Sequence, residues 1–153
     1  MNTSLPSEVT FLEGGLATDE RGTVSFVNDF PFTQFKRFYS IQNHKPGFVR
    51  AWHGHKNEYK AYFVSAGTVV VGVVKVDDWE NPSTDLPVHT QVMSSAKPGI
   101  LFIPGGHANG FMSLTDGAQV LLFSNFTLQQ SLEDDIRFDP KLWNPWADFQ
   151  AQL

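Results

Sequence analysis

The sequence predicts an all-β protein, a jelly-roll barrel closed by a short irregular or helical C-terminal tail. Three observations carry that prediction. About ten short runs rich in Val, Ile, Phe and Tyr alternate with turns that bear Gly or Pro. No stretch before Leu128 keeps a helical period over three turns. The chain also holds 14 Phe, enough for a filled aromatic interior, and its 153 residues fit one domain, 1–153.

In chain order, residues 8–12 and 23–28 are β-rich runs, read as a hairpin around the turn Thr18-Asp19-Glu20-Arg21-Gly22. Asn28-Asp29-Phe30-Pro31 breaks the pattern and residues 35–41 resume it with aromatic enrichment. After the turn cluster 43–47 comes Gly47–Lys60, which concentrates two histidines, two lysines and an arginine among apolar residues. Residues 59–76 form an almost continuous β-branched and aromatic run split by Ser65-Ala66-Gly67, as expected of two buried strands joined by a tight turn. A polar loop, 77–87, leads to strands at 88–93, 100–103, 107–111 and 118–126. Beyond Leu128 the polar and Trp/Pro-bearing composition marks the tail.

Composition narrows the function classes. A net charge of −5 without a run of Lys or Arg argues against nucleic acid as the partner, although isolated basic residues could hold one diphosphate. With no cysteine, disulfides, thiolate metal sites and a thiol nucleophile are all excluded. Met1–Pro6 lacks the basic and apolar regions of a signal peptide, and no apolar run approaches the roughly 20 residues of a membrane helix. The expectation is a cytoplasmic protein with no membrane partner.

Gly47–Lys60 has a recognisable frame. Five residues separate Gly47 from His53-Gly54-His55, and six separate Lys60 from Gly67. This spacing resembles the first-half metal motif of the cupin double-stranded β-helix, except that Lys60 occupies the place of the glutamate ligand. In the second half, Pro104-Gly105-Gly106-His107-Ala108-Asn109 carries Asn109 where the cupin pattern has histidine. An ammonium repels a divalent cation that wants a carboxylate, so the expectation is a site without metal or other cofactor, with Glu58 and His107 the alternative donors. His53 and His55 share strand parity and can face one lumen, whereas Arg50 has the opposite parity and joins them only across a bulge or bend near Trp52.

Asp19-Glu20-Arg21-Gly22, Gln42-Asn43, Arg50-Ala51-Trp52-His53, Lys60, Ile103–Phe111, Ile136–Pro140 and Trp146 together resemble the dTDP-4-dehydrorhamnose 3,5-epimerase family, over roughly residues 16 to 146. The resemblance implies a cupin-like barrel, a homodimer, and an epimerase of nucleotide-linked 4-keto-6-deoxy sugars, dTDP- or GDP-linked, in surface-polysaccharide or lipopolysaccharide synthesis. His53 resembles the base that removes the proton alpha to the C4 ketone, and Lys60 the cation facing the enolate oxygen. His55 is a second catalytic candidate. Arg21 and Arg50 resemble phosphate or sugar contacts, Arg21 reaching a neighbouring subunit's site, and Gln42 and Asn43 resemble nucleotide or sugar contacts. His107 and Asn109 complete the substrate-binding candidates.

Leu122 or Phe123 occupies the place of the family's proton-returning tyrosine, and no late aspartate orients the base. A one-centre reaction at C3, or one with Tyr62 as the acid, fits these departures. Arg50-Ala51-Trp52-His53-Gly54-His55-Lys56 also resembles the Arg-x-x-His-x-His-Lys run of the 3,4-ketoisomerases of the same substrates, in which paired histidines shuttle a proton between C3 and C4. A third reading is a non-catalytic sugar-nucleotide-binding cupin. Plainer roles are a structural strand histidine, an edge lysine, a turn cap for Asn109, and tail packing or a dimer contact for Trp143 and Trp146.

Overall fold

A computed structural model describes residues 4–153, so Met1 to Thr3, part of the stretch read as lacking a signal peptide, lie outside the described residues. The chain runs through β1 (Thr10–Glu13), β2 (Gly15–Asp19), β3 (Gly22–Phe26), a 3-10 turn at Phe32–Gln34, and β4 (Arg37–Gln42). It continues through β5 (Val49–His55), β6 (Lys60–Ala66), β7 (Thr68–Lys75), β8 (His89–Ser94), β9 (Gly99–Ile103), β10 (His107–Ser113) and β11 (Gln119–Ser124). The tail holds α1 (Leu128–Leu132), β12 (Ile136–Arg137) and α2 (Trp146–Gln150).

Two five-stranded antiparallel sheets form a sandwich, in the orders β1-β9-β6-β11-β4 and β12-β5-β10-β7-β8. Alternation along each strand sorts its side chains. Tyr62, Val64, Leu101, Ile103, Val120 and Leu122 of the first sheet meet Val69, Val71, Val73 and Phe111 of the second in the core between them. The near-continuous apolar run of β7 arises because the second sheet is buried on both faces. Its outer residues Trp52, Val70, Val74, Ala108 and Met112 lie under Trp143 and Trp146 of the tail. The two tail tryptophans therefore serve packing, with Trp52 donating its indole N–H to the Trp143 carbonyl at 3.1 Å. A third cluster, Ala61, Ile100 and Phe102 with Phe30, covers the outer face of the first sheet.

The expected hairpin differs in one strand. Thr10–Glu13 pairs with β9, not with residues 23–28, and the partner of β3 is β2. The physical reason lies at Gly14: a Cβ there would run into the carbonyl of Phe26, so only glycine lets the chain pass this close to β3 at the point where it changes partners. β2 and β3 thus form a separate two-stranded ribbon, with Leu16 and Val24 exposed on it.

Candidate active site

A cavity of about 450 Å³ opens between the sheets, its walls drawn from both. From the second sheet β5 contributes Arg50, His53 and His55, β10 contributes Asn109, and β12 contributes Arg137. From the first come Arg37 and Tyr39 of β4, Lys60 and Tyr62 of β6, and Leu122 of β11. Leu128 and Leu132 of α1 stand exposed at its edge.

Arg50 reaches the same cavity as His53 through a β-bulge. Asn109 pairs with His53 and Phe111 with Arg50, so Ala51 and Trp52 together stand opposite Gly110 alone. The bulge brings the strands so close at this point that a Cβ on Gly110 would lie 2.5 Å from the Ala51 Cβ and 2.7 Å from the Arg50 carbonyl oxygen. The extra residue reverses the parity and turns both side chains inward.

The floor is built around a buried carboxylate. Glu58 is 1% exposed and sits on the cavity wall, two residues before Lys60. Its Oε2 accepts from Ser124 Oγ at 2.5 Å and Ser131 Oγ at 2.9 Å, and lies 3.0 Å from Lys60 Nζ. Arg37 approaches to 3.7 Å, while its guanidinium also donates to Ser131 Oγ and the Phe126 carbonyl. Burial pushes the Glu58 carboxyl up, but Lys60 and the Ser124 hydroxyl outweigh it and hold it below its ordinary range. The loop carrying Glu58 is pinned by Asp134, whose carboxylate accepts the backbone N–H groups of Lys56, Asn57 and Glu58 at 2.8–2.9 Å. Among the described residues, no three His, Asp or Glu side chains converge as a metal site, and Glu58 faces ammonium and hydroxyl donors.

Lys60 donates to Tyr39 Oη at 2.7 Å, leaving the phenol's own proton uncommitted by that contact. Tyr62 is engaged differently: its hydroxyl donates to Asn109 Oδ1 at 2.6 Å, and burial pushes the phenol well above its usual value. Asn109 completes the link by donating to the His53 carbonyl at 3.4 Å. On the facing sheet, burial, then the Arg137 guanidinium, lower the His53 imidazole to about 4, so it is neutral at physiological pH. His55 is also lowered, by burial first, and its Nδ1 lies 2.7 Å from the Asp134 carbonyl. A carbonyl only accepts, so Nδ1 carries the hydrogen and the neutral ring keeps its lone pair on Nε2.

Of the residues singled out from sequence, the fold brings together His53, His55, Lys60, Tyr62, Arg50 and Asn109. Four lie elsewhere. Arg21 is at the exposed tip of the β2–β3 ribbon, ion-paired with Asp19 at 2.5 Å. Gln42 pairs with Gln119 at the end of β4, and Asn43 donates to the Phe48 carbonyl at 3.3 Å. His107 turns its Nδ1 to the Pro104 and Gly105 carbonyls at 3.0 and 3.1 Å. The sequence offers no role for Tyr39, Arg37 and Asp135, includes Arg137 only within the Ile136–Pro140 stretch, and marks Glu58 only as an alternative metal ligand. Two alternations could have found some of them: Glu58, Lys60 and Tyr62 share one face, as do Arg37, Tyr39 and Ile41.

A family model described as dTDP-4-dehydrorhamnose 3,5-epimerase matches residues 3–153. The chain belongs to that family. A curated relative is the probable low-salt glycan biosynthesis epimerase Agl13 of Haloferax volcanii, 33% identical over 78 residues. That match covers 50% of this chain and about half, 49%, of the relative's length. Among solved structures, ChmJ, a 3'-monoepimerase from Streptomyces bikiniensis in complex with dTDP, superposes with a TM-score of 0.74 at 17% identity, over 97% of this chain and 79% of that one. The 3,4-ketoisomerase QdtA from Thermoanaerobacterium thermosaccharolyticum, in complex with TDP-4-keto-6-deoxyglucose, gives 0.67 at 16% identity, over 97% and 95%. At these identities the likeness establishes the shared fold.

Proposed function

We propose that the chain, as a single domain, epimerises a nucleotide-linked 4-keto-6-deoxy sugar at C3 by metal-independent proton transfer. The observation that carries this reading is the division of labour between the sheets. Imidazoles of His53 and His55 line one wall, and the Tyr39 phenol with the Lys60 ammonium lines the other. Inversion at carbon needs a base on one face of the sugar and an acid on the opposite face. His53, neutral and partly buried, takes the C3 proton; Lys60 faces the enolate oxygen as charge develops there. Tyr39 returns a proton from the far side, and the phenolate it leaves rests 2.7 Å from the ammonium. Tyr62, whose proton is already given to Asn109, holds the wall instead.

Arg37, Arg50 and Arg137 around the cavity suit a diphosphate, and dTDP, the nucleotide of the family's name, is the preferred carrier over GDP. The step belongs to glycan synthesis, a reading supported by the relative named as a glycan biosynthesis epimerase, and we place it in the cytoplasm and in a homodimer whose exposed ribbon carries Arg21 to a neighbouring site. A second reading, 3,4-ketoisomerase, is favoured by one observation: His55 presents a second imidazole with a free Nε2 on the same strand. Incubation with dTDP-4-keto-6-deoxyglucose followed by proton NMR separates the two. The expected product is the C3 epimer with its ketone still at C4, formed about 10²–10⁴-fold more slowly by His53→Asn. A 3-keto product would assign the isomerase, and no turnover of this or related nucleotide sugars would sink the enzymatic reading.

A further inference from the structure

Glu58 is the most buried ionisable group in the cavity wall, and the mechanism above gives it no part. Its two oxygens are unequal. Oε2 is held by Ser124, Ser131 and Lys60, whereas Oε1 is fully buried and lacks a hydrogen-bond donor. That bare oxygen lies 3.4 Å from His55 Nδ1, whose hydrogen the Asp134 carbonyl receives at 2.7 Å. A buried carboxylate oxygen without a donor is costly unless a charge develops beside it. An imidazolium at His55 is that charge: protonation at Nε2 strengthens the Nδ1–H, which the carbonyl and Oε1 can then share.

We infer that Glu58 is a positioning residue acting through His55 and Lys60, and that it makes His55 the more readily protonated of the two cavity imidazoles in the resting protein, leaving His53 unprotonated as the base. The role deepens the proposed function and rests on it only for its bearing on catalysis; the electrostatic arrangement exists in the free protein. Glu58 and Asp134 favour a charge on His55, Lys60 opposes it, and His53 and the Asp135–Arg137 pair, bonded at 2.7 Å, lie beyond on the same wall. His107, its partner across the ladder, turns its Nδ1 to carbonyls of its own turn. His53 is placed differently: Asp135 favours a charge on it but is ion-paired with Arg137, whose guanidinium opposes that charge more strongly. The same carboxylate fixes Lys60 from below while Tyr39 fixes it from the side, so the ammonium holds one orientation toward the cavity.

The test is a titration of the histidine ring nitrogens by NMR in the full-length protein, wild type and Glu58→Gln, without substrate. In the wild type, His55 is expected as the Nδ1–H tautomer and to titrate at higher pH than His53. In Glu58→Gln its midpoint should fall by about one unit or more while His53 moves less, with Glu58→Asp restoring part of the difference. An unchanged His55 midpoint in a folded Glu58→Gln protein, or a wild-type His53 that titrates above His55, would overturn the inference. Should Glu58→Gln fail to fold by circular dichroism, the wild-type order of midpoints decides alone. Kinetics add a separate arm: kcat of Glu58→Gln should fall about ten- to a hundredfold with KM little changed. A titration as expected with no turnover in the wild type would reject the proposed reaction and leave the Glu58–His55 arrangement standing.

Discussion

His53 shows how burial serves chemistry at the cost of stability. Desolvation, then Arg137, hold its ring at about 4, so the imidazole is unprotonated at neutral pH, as the base proposed for this site must be. In the unfolded chain a histidine titrates near 6.5. Between roughly 6.5 and 4 the unfolded state therefore binds a proton that the folded state refuses, and stability falls as pH drops through that window while staying unaffected above it. A displacement of this size corresponds to on the order of 3 kcal/mol. Thermal unfolding from pH 8 down to pH 4.5 should show a Tm decline that is visibly shallower in His53→Gln. Equal declines in the two proteins would place the acid sensitivity elsewhere, with His55 the next group to examine.

At the level of strands, parity was legible and partnership was not. His53 and His55 two residues apart on β5 had to share a face, and Arg50 could join them only across an irregularity, which the chain supplies opposite Gly110. Lys60 at the head of a buried run, and the paired faces of β7, followed from the same local pattern. Tyr39 was hidden for a physical reason: its importance comes from Lys60 and Leu122, neighbours across β6 and β11 that only the sheet order brings beside β4. Asp134 and Ser131 are likewise remote in sequence from the Glu58 they secure. β2 escapes the sequence pattern because it has little apolar signal, its inner partner being the neighbouring strand alone, so the run before it is matched to β3 instead.

Across the whole molecule, an acidic chain of net charge −5 gathers Arg37, Arg50, Lys60 and Arg137 around one cavity, a local reversal of sign suited to an anionic nucleotide substrate. The β2–β3 ribbon projects with Leu16, Val24 and the Arg21 guanidinium exposed, the last at 84% of its side chain, although Arg21 is outside its own chain's cavity. The proposed homodimer would give that ribbon a surface to cover and a site to reach. Sedimentation equilibrium should return twice the chain mass, and Arg21→Ala should raise KM while leaving the dimer intact; a monomer at micromolar concentration would contradict this. The proton-transfer chemistry itself is read out by dTDP-4-keto-6-deoxyglucose in deuterated water, with the label located by NMR. Deuterium is expected at C3 and not at C5, and should be lost in His53→Asn; the absence of exchange at C3 in the wild-type protein would contradict the reaction proposed for this cavity.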